Sequence, residues 1–302
     1  MKRVVFFNYY HNGDIHVSRG FIRRIIEKVK QLDPTIRFFY SHRNSPELLS
    51  DIIDLQFDSN GLGQVNNDHA NLVVVGDTVY INTWYAQQHY RYMNRYGITI
   101  DSLYSAFDDT CKSLWGFSLE DLSTEPGDFF PTIDYEKFQI AQAKNWLSSH
   151  PGKKVFVSNG AILSDQAHYF GLTPIIDVIS KNHPDKIFIL SNNDGHPGSN
   201  NIIHSSDIIL KSGNDLNENS YIASHCDVII GKASGAFSFS VTKENCLQRS
   251  PKFLAFCNLA PSHPNKFWLG ERLRDRINYT SQFIVSNEKD VNNVSSIIDS
   301  NL

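Results

Sequence analysis

Short apolar runs alternate with helix-forming segments along most of the chain, and this alternation constrains the fold more than any other feature. Residues 3–10, 36–40 and 186–190 have the length and apolar character of buried strands. Between the first two runs, apolar residues recur every three or four positions from Phe21 to Leu32, as on one face of an amphipathic helix. Alternating strands and helices predict parallel sheets covered by helices.

The alternation occurs in both halves of the chain, which we predict to form two domains. A chain of 302 residues corresponds to about two domains of 150 residues. The segment 150–153 contains a proline and a glycine and is typical of a linker, so we expect domains over 1–150 and 151–302. The predicted fold class is α/β, with two Rossmann-like, doubly wound parallel sheets and a cleft between them.

Composition excludes several classes of protein. Apolar residues make up 41% of the chain and charged residues 20%, which excludes an intrinsically disordered chain. The net charge of −4 argues against a nucleic-acid partner. Apolar runs are too short for a membrane span or a signal peptide, and the four cysteines form no CxxC pair. We therefore expect a cytoplasmic protein with reduced thiols.

A glycine–aspartate pair follows the first predicted strand. Asp14 comes directly after Gly13, where the first helix begins and where sheets of this kind bind ligands. Its carboxylate has two interpretations, a general base toward a substrate hydroxyl or a helix N-cap. The neighbouring His11, Asn12, Gly13 and His16 are candidate substrate contacts. The two histidines have no evident third ligand, so we predict no metal site.

A turn of small residues separates a predicted strand from a helix in the second half. It covers residues 231–236, and Ser234, Gly235 and Ala236 lead into the helix. Peptide N–H groups at a helix beginning bind phosphate oxygens, and Lys232 adds a cation. Small residues also let a turn pack closely against its neighbours, so a phosphate site and a packing role both remain open.

Polar residues follow further predicted strands of the second half, and they are candidate donor-binding residues. They are Ser158, Asn159, Gly160, Ser191, Asn192 and Lys211. The strand before Lys211 is predicted over 208–210, and Asp215 with Glu218 predicts a capping box at the next helix. Because the carboxyl ends of parallel strands meet at one edge, we expect these residues to converge on a nucleotide pocket. Ordinary surface turns have the same composition.

The segment from Asp215 to Ser238 resembles the donor-binding segment of the heptosyltransferases, which form glycosyltransferase family 9. The shared pattern is a helix, an acidic residue before an apolar strand, a glycine, a short polar pair and Ser234-Gly235 before a second helix. Asp14 resembles the family's early aspartate, the proposed catalytic base. The resemblance implies the GT-B fold, with an acceptor-side N-terminal domain and a C-terminal domain that binds a nucleotide sugar.

The resemblance also implies an activity. The protein would be an inverting, metal-independent glycosyltransferase that moves a hexosyl or heptosyl group from a nucleotide-diphospho-sugar to an acceptor hydroxyl. Asp14 would be the general base, the diphosphate would lie at 234–236, and Lys211 or Lys232 would offset its charge. The chain contains no DxD triplet. No cofactor is expected beyond the nucleotide sugar as co-substrate.

The acceptor is expected to be a glycan or a lipid-linked saccharide. Trp84 follows a predicted strand, and its aromatic face suits the apolar face of a sugar ring. Lysine and arginine residues of the first helix would suit peripheral contact with the inner face of an anionic membrane.

Two other functions fit the same sequence. A nucleotide-sugar epimerase uses the same two-domain architecture and needs no acceptor. Ala233 stands where the family has an aspartate, and Phe237 and Phe239 follow where it has a histidine. These departures leave open a non-catalytic protein that binds a nucleotide or a sugar.

Overall fold

A computed structural model describes residues 1–9, 11–43, 45–58, 71–84, 100–162, 167, 170–211, 213–249, 251–257, 281–285 and 288–302. Contacts divide the described chain into two compact units, one ending at Ile133 and the other beginning at Asp134. The sequence places this boundary after residue 150. The difference arises because the helix Ala141–Ser149 packs against the helix Leu216–Ala223 of the second unit.

The first unit is built on a five-stranded sheet. Its strands are β1 (Arg3–Phe7), β2 (Arg37–Ser41), β3 (Leu55–Phe57), β4 (Leu72–Val75) and β5 (Thr78–Asn82). They lie in the order β3-β2-β1-β5-β4, and all pairs are parallel except β4 with β5. The turn between those two strands contains Gly76 at φ 56°, a left-handed conformation that glycine adopts without strain.

Two α-helices belong to this unit in the described chain. The helix α1 (Asn12–Leu32) connects β1 to β2, and it buries Phe21, Ile22 and Ile25 completely. The helix α2 (Ile100–Trp115) packs against it, with the rings of Phe21 and Phe107 stacked at 5.1 Å between centroids. The periodicity that predicts α1 is therefore the periodicity of its buried face.

The second unit is built on a six-stranded sheet in which every pair is parallel. Its strands are β6 (Lys153–Ser158), β7 (Lys186–Leu190), β8 (Ile202–His204), β9 (Val228–Lys232), β10 (Lys252–Cys257) and β11 (Ser281–Ile284). They lie in the order β11-β10-β9-β6-β7-β8. The central strands β6 and β9 are buried along almost their whole length, as expected for a sheet covered on both faces.

Five α-helices accompany this sheet in the described chain. They are α3 (Ala141–Ser149), α4 (Leu172–Asn182), α5 (Leu216–Ala223), the single turn α6 (Gly235–Ser238) and α7 (Glu288–Asp299). The helices α4 and α7 pack against each other, and Ile176 and Ile298 join the apolar core with Phe188 of β7. None of the helices in the described part of the chain is long and apolar enough to span a membrane.

Two local predictions are wrong. Residues 208–210 do not form a strand, and the strand before Lys211 is β8, which ends at His204. The backbone N–H of His204 donates to the Asp207 carboxylate at 3.2 Å, which stabilises a turn where the strand would otherwise continue. The predicted capping box of α5 is also absent, because the Asp215 side chain makes no capping hydrogen bond.

Candidate functional site

Asp14 lies in the first turn of α1, just after the carboxyl end of β1. The helix begins at Asn12, and the N-cap position is occupied by His11. Asp14 is thus the third helical residue, and its carboxylate accepts a hydrogen bond from the backbone N–H of His11. This is the return contact that the third residue of a capping box makes. The contact holds the carboxylate at the edge of the sheet.

Burial sets the proton affinity of Asp14. The residue is half-buried, and desolvation of its carboxylate raises its pKa from 3.8 to about 7, although the hydrogen bond from His11 acts in the opposite direction. A carboxyl group with this pKa is about half ionised at neutral pH, which is the range where a general base is most effective. The arrangement therefore suits proton transfer.

Buried hydroxyl groups lie beside Asp14 at the ends of neighbouring strands. The hydroxyl of Tyr40 lies 3.0 Å from Thr83 Oγ1, and the Thr83 hydroxyl donates to the carbonyl of Phe7 at 3.1 Å. Both side chains are fully buried. Burial, with a smaller contribution from the Asp14 charge, raises the pKa of Tyr40, so this phenol stays protonated.

Tyr40 and Thr83 were not predicted from the sequence as site residues. Each lies at the end of a predicted strand, where a hydroxyl among apolar residues is the signal that points to it. Both residues are distant from Asp14 in the sequence. They lie at the same edge of the sheet only because β1 pairs in parallel with β2 and β5.

The other residues predicted around Asp14 differ in their exposure. His11 is exposed, Asn12 is half-buried and Gly13 is buried within the first turn of α1. His16 has 0% of its surface exposed, so protein atoms enclose its ring. Of the two histidines, only His11 is open to a substrate in this structure.

Trp84 lies at the same edge of the first sheet as Asp14. It follows β5, which is parallel to β1, and it is half-buried. Its backbone N–H donates to Asn82 Oδ1 at 2.8 Å, which holds the chain as it leaves the strand.

The turn between β9 and α6 is closely packed. A Cβ atom on Gly231 would lie 2.2 Å from a ring carbon of Phe237, so this position requires glycine. The Ser234 hydroxyl accepts a hydrogen bond from the backbone N–H of Phe237 at 3.2 Å and caps the single turn of α6. The small residues of this turn therefore allow close packing between β9 and α6.

The same turn also presents peptide N–H groups. Gly235 and Ala236 are half-buried, and as first-turn residues they have no preceding helical carbonyl to accept from their N–H groups. In the described chain, no backbone contact outside the helix engages these two donors. A helix of one turn has a small dipole, so an anion at this turn would be bound by hydrogen bonds from the peptide N–H groups and not by the dipole.

Asn159 joins the loops that follow β6 and β7. Its amide nitrogen donates to Thr173 Oγ1 and to the carbonyl of Asn192, both at 2.9 Å. Its amide oxygen accepts from the Ser191 hydroxyl at 3.3 Å and from the Asn192 backbone N–H at 2.9 Å. With both donors and both acceptor sites used, Asn159 holds the loops together.

Thr173 and Asp194 extend this contact, and both were missed as site residues. Thr173 is buried in the first turn of α4, which begins at Leu172 after the N-cap residue Gly171. The Thr173 hydroxyl donates to the Asp194 carboxylate at 2.6 Å. Such a contact depends on the folded arrangement of the loops, and the local sequence does not reveal it.

The two lysines that were predicted to offset the diphosphate charge both bind groups of the protein itself. Lys232 is 2% exposed and donates to the carbonyl of Phe170 at 3.0 Å. Burial lowers its pKa, and the charge of Asp194 opposes this effect. Lys211 forms an ion pair with the buried Glu218 carboxylate at 2.9 and 3.1 Å.

The remaining predicted donor-binding residues lie at the ends of β6 and β7. Ser158 is 3% exposed and pairs with Gly231 in the sheet. Gly160 and Ser191 are half-buried, and Asn192 is exposed. The second sheet therefore brings the predicted loops to one edge, with backbone and partly exposed side chains available to a ligand.

Metal-binding residues do not cluster in the described part of the chain. No group of three or more His, Cys, Asp or Glu residues there is arranged to hold a metal ion. All four cysteines are buried free thiols.

Comparison with known proteins identifies the fold. No family profile and no curated protein sequence matches the chain. A glycosyl transferase family 9 structure from Veillonella parvula is similar, with a TM-score of 0.50 and 11% identity over 98% of this chain and 89% of that one. The ADP-heptose LPS heptosyltransferase II of E. coli has a TM-score of 0.51 and 11% identity over 100% and 98% of the two chains.

A third structure agrees with these two. The E. coli heptosyltransferase WaaC with ADP-2-deoxy-2-fluoro heptose gives a TM-score of 0.50 and 11% identity over 99% of this chain and 100% of that one. At this identity the likeness defines the fold alone. The protein has the GT-B fold of the heptosyltransferases, and the predicted fold class is confirmed.

Proposed function

We propose that the protein is an inverting, metal-independent glycosyltransferase that uses a nucleotide-diphospho-sugar. The observation that carries this proposal is the desolvated Asp14 carboxylate, with a pKa of about 7, at the ligand-binding edge of the first sheet. The fold supports it, because similar structures are heptosyltransferases, one of them with a fluorinated ADP-heptose.

In the proposed reaction Asp14 acts as the general base. It takes the proton of the acceptor hydroxyl while the hydroxyl oxygen bonds to the anomeric carbon. The bond from that carbon to the diphosphate oxygen breaks, and the nucleoside diphosphate leaves with the electron pair. A single displacement of this kind inverts the anomeric configuration. Tyr40 and Thr83 hold the strand ends that surround the base.

The donor is proposed to bind at the carboxyl edge of the second sheet. The peptide N–H groups of Gly235 and Ala236 would receive the diphosphate, since donors aimed at developing charge stabilise the leaving group. Ser158, Gly160, Ser191 and Asn192 would line the rest of the site. Asn159 and Ser234 would position the loops, because their side chains are already hydrogen-bonded within the protein.

Lys232 and Lys211 are proposed to stabilise the diphosphate by their positive charge, without direct contact. Lys232 lies in the strand that leads into the diphosphate turn, and its buried ammonium would contribute positive potential there. Lys211 contributes less, because the Glu218 carboxylate offsets its charge.

The acceptor is proposed to be a glycan or a lipid-linked saccharide. Trp84 offers an aromatic face at the edge that carries Asp14, and His11 and Asn12 flank the carboxylate. We propose a cytoplasmic location, at the inner face of the membrane when the acceptor is lipid-linked. Gly13 and His16 would act by shaping this first turn of α1.

A ligand screen followed by product analysis tests the proposal. Thermal shifts are measured with ADP, UDP, GDP and CDP, and a ligand at 100 times its Kd is expected to stabilise the fold by about 2.7 kcal/mol. The matching sugar nucleotides are then incubated with glycan acceptors. A glycoside of inverted configuration plus free nucleoside diphosphate supports transfer. An isomerised donor indicates the epimerase, and binding without turnover indicates the non-catalytic protein.

A further inference from the structure

A cavity of about 210 Å³ lies in the second unit, away from the proposed donor site. It is lined by Lys144, Leu147, Ser148, Lys154, Tyr221 and His225. Lys154 is the second residue of β6, whereas the donor loops follow the last residue of that strand, Ser158. Four residues of extended chain place the two positions about 13 Å apart. The cavity therefore lies at the opposite edge of the sheet.

Lys154 is the most informative residue of this cavity. It is 7% exposed, and its ammonium group donates to the carbonyl of Gly152 at 3.1 Å. Among the described residues, no carboxylate oxygen lies within 4.0 Å of the ammonium nitrogen. Lysine is rarely buried to this extent without an anionic partner, because an uncompensated buried charge is costly. An anion in the cavity would supply that partner.

The lining of the cavity contains two lysines and no carboxylate. Lys144 contributes a second ammonium group, which pairs at 3.2 Å with the exposed carboxylate of Glu136. The Asp227 carboxylate accepts a hydrogen bond from the backbone N–H of Lys154 at 2.9 Å, but it does not form an ion pair with the ammonium group. Two lysines therefore line the cavity and two carboxylates lie near it, and among the described residues neither carboxylate forms an ion pair with the Lys154 ammonium group.

Neutral polar groups complete the lining. Burial raises the pKa of Tyr221, so its phenol remains a hydrogen-bond donor at neutral pH. His225 Nδ1 lies 2.9 Å from the Tyr221 carbonyl and donates to it, so Nε2 of the neutral ring is an acceptor for a ligand hydroxyl group. Leu147 adds an apolar wall. Ammonium and phenol donors, an imidazole acceptor and an apolar wall suit an anion that carries a hydroxylated carbon skeleton.

We propose that this cavity binds the phosphate monoester of a small polar molecule, of the size of a sugar phosphate, with the phosphate on Lys154. The volume corresponds to about seven water molecules, which exceeds the space that a free phosphate ion fills. It is also below the roughly 300 Å³ at which pockets for drug-sized ligands begin. The site is distinct from the donor site and does not depend on the proposed transfer reaction.

Calorimetric titration with ribose 5-phosphate tests the proposal on the full chain. The Lys154→Met variant is expected to raise the Kd at least tenfold, because it removes a charge-assisted hydrogen bond. The Lys144→Met variant is expected to raise it about threefold, since that ammonium is exposed. Lys153→Met is the matched control, because Lys153 is the adjacent but exposed lysine of the same strand, and its Kd should equal that of the wild type.

Nuclear magnetic resonance of the His225 ring locates the ligand. Its resonances should shift with ribose 5-phosphate and less with inorganic phosphate, and ribose alone should leave them unchanged. Equal affinities in the Lys154→Met and Lys153→Met variants would overturn the proposal, and so would unchanged His225 resonances at saturating ribose 5-phosphate. If Lys154→Met does not fold, Lys154→Arg should retain binding while Lys144→Met weakens it, and equal affinities in those two variants would also overturn it.

Discussion

The two sheet edges of this protein use their polar side chains in opposite ways. At the edge of the first sheet, Asp14 has a carboxylate that burial leaves poorly solvated, and its pKa of about 7 keeps it ready to accept a proton. At the edge of the second sheet, Asn159 and Ser234 use their side chains within the protein, and Lys211 is paired with Glu218. Poor solvation raises the proton affinity of the Asp14 carboxylate. At the second edge, the side chains are hydrogen-bonded within the protein, so they hold the loops in place and leave peptide N–H groups available to a ligand.

Removal of the proposed base, Asp14, is expected to have the largest effect and tests the first half of this comparison. The Asp14→Asn variant keeps the shape of the side chain and an acceptor for the His11 N–H, but it cannot take a proton. Turnover should fall by about 10²–10⁴-fold, while the affinity for the nucleoside diphosphate stays unchanged. Initial rates and thermal shifts measure the two quantities. Turnover at the wild-type rate would show that Asp14 only stabilises the beginning of α1 and is not the base.

The next effect concerns the Lys211–Glu218 pair. The Lys211→Met variant leaves the buried Glu218 carboxylate without its cation, so the free energy of unfolding should fall by about 3 kcal/mol. Urea denaturation measures this loss. Adding Glu218→Gln should recover part of it, because the buried charge is then removed. A variant that loses diphosphate affinity at unchanged stability would show that Lys211 contacts the donor instead.

A smaller effect is expected at Asn159. The Asn159→Ala variant removes four hydrogen bonds between loops, and a loss of about 2 kcal/mol in unfolding free energy follows. Asn192→Ala is the control, because the contacts of Asn192 with Asn159 are made by its backbone and its side chain is exposed. Equal stability of the two variants would contradict the role of Asn159 as the residue that joins the loops.

The last effect is the pH dependence that Asp14 gives to stability. Its pKa is about 7 in the folded state and about 3.8 in the unfolded state, so the folded state binds more protons between these values. The free energy of unfolding should therefore fall as pH rises from 4 to 7. The Asp14→Asn variant lacks this loss, so its advantage over the wild type in unfolding free energy should grow from pH 4 to pH 7 and stay level above that, with little difference near pH 4. A constant difference across this range would refute the shifted pKa.

The fold was predictable to a large extent because its strands and helices have strong local patterns. The buried face of α1 repeats at helical spacing, and the apolar runs at 3–10, 36–40 and 186–190 overlap β1, β2 and β7. The error at 208–210 has a physical cause that periodicity does not contain. An apolar run forms a strand only where its neighbours allow pairing, and the His204–Asp207 contact ends β8 before that run.

The site was predictable where one residue carries the signal. Asp14 and Ser234 lie at strand–helix junctions that the sequence marks with glycine and small residues. Tyr40 and Thr83 are 43 residues apart, and Thr173 and Asp194 are 21 apart, so only the folded sheets bring them together. The contacts of Lys211 with Glu218 and of Lys232 with the Phe170 carbonyl could not be predicted for the same reason, because the sequence does not show which groups lie near a charged side chain in the fold.

Titration of the Asp14 carboxyl carbon by nuclear magnetic resonance tests the central claim most directly. The protein is labelled with ¹³C-aspartate, and the Asp14→Asn variant assigns the resonance. The account predicts a midpoint near pH 7, because the desolvated carboxylate holds its proton more strongly than an ordinary aspartate. A midpoint near pH 4 would show a well-solvated carboxylate and would contradict its proposed role as the base.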